Sequence, residues 1–170
     1  MDVLIQGLLG GLLFALVGLG IRAIKKAINR KKNKMISELS FDSINMDLSN
    51  YEKLAVFHLL WRIAKCDSEI NYKESSVLQI VFLILGLDRM NQKEMNNIET
   101  ELEKLSNDEL LEYLANFEWE HKEWFVKTII YVVENDEPIT QQETDFIKPI
   151  LSSIGITKEQ LIEIKNRICK

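Results

Sequence analysis

The sequence predicts an all-α protein: a bundle of about seven helices with an internal pseudo-two-fold repeat, preceded by one transmembrane helix. Three observations carry that prediction. Glycine (7) and proline (2) are scarce in 170 residues, and apolar residues recur at helical rather than alternating spacing. One acidic helix-loop-helix stretch occurs twice, 69 positions apart and without a gap. Residues 3–21 carry no charged side chain.

The repeat lays Ala64-Lys65-Cys66-Asp67-Ser68-Glu69-Ile70-Asn71-Tyr72-Lys73-Glu74 on Val133-Glu134-Asn135-Asp136-Glu137-Pro138-Ile139-Thr140-Gln141-Gln142-Glu143. Asp67 meets Asp136, Ile70 meets Ile139, and Glu74 meets Glu143. Further on, Gly86 meets Gly155, each between two apolar residues. Acid, apolar residue, acid and glycine in register point to an internal duplication.

Residues 3–21 hold only Gln6 as a strongly polar side chain. As a helix at about 1.5 Å per residue, they reach roughly across the ~30 Å hydrocarbon core of a bilayer. A cleavable signal peptide would want bases before the run and a small-residue cleavage site after it. Here Met1-Asp2 precedes the run and Arg22 follows. A buried core helix would show a polar face, and this stretch has none. The chain therefore reads as residues 1–24 spanning a membrane, 25–49 forming a basic juxtamembrane segment and linker, and 50–170 forming the helical domain.

Arg22, Lys25, Lys26, Arg30, Lys31 and Lys32, with Lys34, form a run of bases unbroken by any acid. Such a flank stays on the cytoplasmic side and lies against anionic headgroups, or sets topology and nothing more. Gly7, Gly11, Ala15 and Gly18 share one helix face, a stripe that lets a second helix approach closely. That helix could be another copy's, giving a homo-oligomer, or another membrane protein's; glycine is also common in membrane helices at large.

The formal net charge of −5 hides an asymmetry. With the seven basic-run residues set aside, 14 bases face 26 acids, a net −12. So acidic a body repels phosphates, which argues against nucleic acid as a partner. Cys66 and Cys169 form no ligand or redox motif, and read as two reduced thiols.

Within 50–170, residues 51–65 carry a wide apolar stripe that fits a well-buried helix. Asn71 with Glu74 caps the next helix, which Gly86 ends. Asn91 with Glu94 opens a helix over 92–105, and Ser106 with Glu109 a short one holding Leu110, Leu111 and Leu114. The second copy then follows: a helix over 118–134, a loop, and a helix capped by Thr140 with Glu143. That helix should bury Phe146, Ile147, Ile150, Leu151 and Ile154, with Pro149 removing one of its backbone bonds and kinking it. Thr157 with Gln160 starts the last helix, expected to bury Leu161, Ile164 and Ile168. Residues 37–49 read as a linker that docks on the domain or carries a short first turn.

The candidate site is the pair of corners. Asp67, Glu69 and Glu74 crowd one, and Asp136, Glu137 and Glu143 its counterpart. Two readings stand side by side. In the first, Glu74 and Glu143 close capping boxes and Asp67 and Asp136 accept turn N–H groups. In the second, both corners face one side and take a divalent cation, for which hard oxygen ligands suit calcium or magnesium, or a basic patch on a protein partner. An EF-hand is excluded: its glycine and glutamate would fall on Tyr72 and Leu78. His58 reads as a core or boundary residue and His121 as exposed near a helix start. No Ser/His/Asp or Cys/His pairing and no phosphate-binding glycine loop is present, so no enzyme is read and no cofactor is assigned.

Both corners resemble the signature of TerB-like (tellurite-resistance-type) domains, an apolar residue, two more, then Asp-Gly-x-Ile-x-x-x-Glu, in two related copies. It stands here as Asp67-Ser68-Glu69-Ile70-Asn71-Tyr72-Lys73-Glu74 and Asp136-Glu137-Pro138-Ile139-Thr140-Gln141-Gln142-Glu143, over about residues 50–168. Ser68 and Glu137 replace the family's glycine. The resemblance implies a non-enzymatic helical module of membrane-associated stress, metal-resistance and phage-defence systems, with these acids binding metal or partners. A similar domain follows a membrane helix in some J-domain co-chaperones, but the His-Pro-Asp tripeptide is missing here.

The expectation is a single-pass protein of the bacterial inner membrane whose cytoplasmic domain recruits or senses a protein partner. The alternatives are a metal-sequestering or metal-dependent protein, and a small membrane effector acting through its glycine-striped helix.

Overall fold

A computed structural model of the protein describes residues 37, 39, 47–67, 70–115, 117–133 and 139–168. The stretch over 3–21 read as a membrane segment, its glycine stripe and the basic run all lie outside the described residues. Among the described residues no helix is long and apolar enough to cross a membrane. The chain divides into two units, Met1–Glu38 and Leu39–Lys170. Of the first, only Ser37 is described, and it is exposed.

The second unit is all-helical among its described residues: α1 Asn50–Ala64, α2 Tyr72–Ile84, α3 Gln92–Leu102, α4 Asn107–Ala115, α5 Trp119–Val133, α6 Gln141–Ser153 and α7 Lys158–Ile168, with a 3-10 turn at Leu87–Arg89. The 69-residue spacing of the sequence recurs in the helices. α1 and α5 have equal length and begin 69 residues apart, and so do α2 and α6. Matching apolar patterns and matching caps produce matching helices.

Most starts follow the capping chemistry in the sequence. The Asn71 side chain accepts from the Lys73 and Glu74 N–H groups at 2.8 and 3.0 Å, and the Asn71 N–H donates to Glu74 Oε2 at 2.7 Å. Thr140 and Glu143 repeat that box at 3.1 and 2.6 Å. Ser106 with Glu109 and Thr157 with Gln160 do likewise. Ser49 with Glu52 adds a box for α1 that the sequence reading did not single out. Asn91 accepts from the Lys93 N–H at 2.9 Å, while Glu94 accepts from the Asn50 amide across the interface at 2.8 Å.

The stops are glycines where the backbone needs them. Gly86 and Gly155 sit at φ +69° and +77°, in the left-handed region that glycine enters without penalty. After α6, the Gly155 N–H donates to the Ser152 carbonyl and the Ile156 N–H to the Leu151 carbonyl, the paired bonds of a Schellman end. α6 runs through the exposed Pro149 to Ser153.

α1 and α5 cross at the centre, and nearly every face of each is covered. α1 packs on α2, α3 and α4; α5 packs on α2 and α7. Their apolar residues therefore spread round the helix instead of forming a narrow stripe. α3 ends at Leu102 rather than 105. Arg62 of α1 reaches over that end, donating to the Leu102 and Leu105 carbonyls at 3.2 and 2.8 Å and to Asn107 Oδ1 at 2.9 Å. It satisfies carbonyls that a helix end otherwise leaves to water.

The segment ahead of α1 contributes two side chains to the core. Leu39 and Leu48 are buried, and the Trp124 indole N–H donates to the Leu39 carbonyl at 2.9 Å. Three residues expected in the core, Phe146, Leu161 and Ile168, are only half-buried. They lie on the outer helices α6 and α7, which are covered from one side.

Candidate functional site

Among the described residues, acids of both corners act on one side chain, Cys66. Glu74 enters from the first turn of α2 and Glu143 from the first turn of α6, both buried. Cys66 follows α1 and is half-buried. Burial pushes its thiol up to about 11, and the negative charges of Glu143, Asp67 and Glu74 add to that in turn. Two carboxylates 69 residues apart in sequence thus act on the same thiol. Asp67 and Glu74 of the first motif and Glu143 of the second are the described acids that share this influence.

The chemistry open to this junction is limited. A thiol titrating near 11 is protonated at neutral pH, hence a weak nucleophile and a poor metal ligand. One oxygen of each glutamate already accepts the cap residue's N–H, at 2.7 Å for Glu74 and 2.6 Å for Glu143. Asp67 is half-buried beside them. Among the described residues, no three or more His, Cys, Asp or Glu side chains are grouped closely enough to hold a metal ion. Glu69, Asp136 and Glu137 lie outside the described residues.

The remaining candidates separate. His58 is half-buried in α1, and burial together with Arg62 one turn on lowers it to about 4, so it is neutral at pH 7. His121 is half-buried rather than exposed, its ring edge-on to Phe117 at 5.6 Å. With Glu52, Glu112 and Glu118 it lines a surface hollow of about 540 Å³ that the sequence did not suggest.

The structure also shows a groove of about 410 Å³ between α5, α6 and α7, floored by residues such as Ile130, Ile147 and Leu151. Ile139, the apolar residue of the second motif, stands at its edge and is 40% exposed. The signal for this groove lies in the aligned halves. Val126, Ile130 and Leu151 of the lining stand where the first half has Phe57, Trp61 and Phe82. Phe57 and Phe82 pack edge to face at 5.3 Å. Aromatic rings fill in one half what aliphatic side chains leave open in the other.

No family model and no curated protein matches the sequence. The fold is similar to the crystal structure of a protein of unknown function from Porphyromonas gingivalis, with a TM-score of 0.51 and 15% identity over 74% of this chain and 92% of that one. At that identity the likeness concerns the fold alone.

Proposed function

We propose that the chain is a TerB-like interaction module, tethered to a membrane by residues 1–24, that recruits or senses a protein partner through its acidic corners. One observation supports it above the others: Asp67 and Glu74 of the first motif and Glu143 of the second all act on Cys66. The buried glutamates set the corners' shape through their caps, and the loop acids Asp67, Glu69, Asp136 and Glu137 present charge to a basic patch on the partner. The apolar run over 3–21 and the bases after it supply the anchor and its cytoplasmic orientation in this reading.

The test is a pull-down with detergent-solubilised full-length protein, run beside the Asp67→Asn/Asp136→Asn double variant. The expected result is a specific partner whose capture falls at least tenfold in the variant while helix content is unchanged. Equal capture by both proteins rejects the acidic-corner reading. Calorimetry with calcium, magnesium, manganese and zinc, on the same two proteins, addresses a cation at the junction.

A further inference from the structure

We draw no further inference here: the strongest candidate, the apolar groove between α5, α6 and α7, carries nothing because nothing in the structure shows what covers it.

Discussion

Helices α1–α2 and α5–α6 are two renderings of one hairpin, and they differ in where they put aromatic bulk. The helix lengths, the capping boxes of α2 and α6 and the terminal glycines coincide at a spacing of 69 residues. Yet the fully buried Ala55 of α1 corresponds to Trp124 of α5, and Phe57 corresponds to Val126. Two positions along a helix is a turn of about 200°, so the large ring moves to the opposite face. In α1 the bulk closes the gap to α2. In α5 it points toward Leu39 and leaves the gap to α6 open. Backbone signals survive such an exchange because they act within a turn or two of chain. Packing does not, because each face has a different neighbour.

Five substitutions would break or sharpen this comparison, and the largest effect is expected at the ring itself. Trp124→Ala should cost about 3–5 kcal/mol in urea unfolding of the full chain, as for other large-to-small changes at fully buried aromatics. Trp124→Phe keeps an aromatic ring and removes the indole donor to the Leu39 carbonyl, so it should cost about 1–3 kcal/mol. A loss under about 1 kcal/mol for Trp124→Ala would mean that Trp124 is not the second half's counterpart to the aromatic filling of the first.

The caps should show the opposite behaviour, equality. Asn71→Ala and Thr140→Ala each remove the side chain that accepts at the helix start, and each should cost about 1 kcal/mol. Thermal melts that place one cost at more than twice the other would show that the corners are not energetically matched.

The smallest effect lies on α3, where pH separates it from its outer counterpart α7. Arg167 of α7 and Lys127 hold Glu123 at 3.0 and 2.8 Å, so Glu123 titrates below its usual range although burial alone would raise it. Glu99 of α3 is pushed up to about 7, by burial first and then by Glu103. A carboxyl raised on folding gives its full stabilisation below its unfolded pKa, and that stabilisation is lost as pH climbs toward 7. Glu99→Gln should therefore raise the melting temperature relative to the parent at pH 8, with the gain vanishing near pH 4. His58, lowered to about 4, acts on the acid side: its contribution falls as pH drops from the ordinary histidine range toward 4, in both proteins alike. A Glu99→Gln difference that stays constant from pH 4 to 8 would refute the assignment.

Much of the fold was legible before any coordinates. Asn71 with Glu74 and Thr140 with Glu143 announced two helix starts, Gly86 announced one stop and Gly155 its match, and each is a contact among neighbours in sequence. The candidate site was legible as two corners and not as one junction. Cys66 has Asn135 as its counterpart, so the repeat itself gave no reason to single it out. The influence of both Glu143 and Glu74 on it depends on how α1, α2 and α6 meet. The 37–49 segment read as a linker contributes Leu39 to the core, through a bond to an indole 85 residues away.

The sequence by itself determined the helical class, the 69-residue repeat, the caps and stops, and the acidic balance of the body. Each follows from residue type and local spacing, which propensity and short-range hydrogen bonds translate directly into backbone. Only the tertiary structure decided that Glu74 and Glu143 act on one thiol, that Trp124 reaches Leu39, and that the second half keeps a groove between α5, α6 and α7. Those outcomes depend on which side chains fill the space between helices distant in sequence, and volume at an interface is shared between partners that no local pattern names.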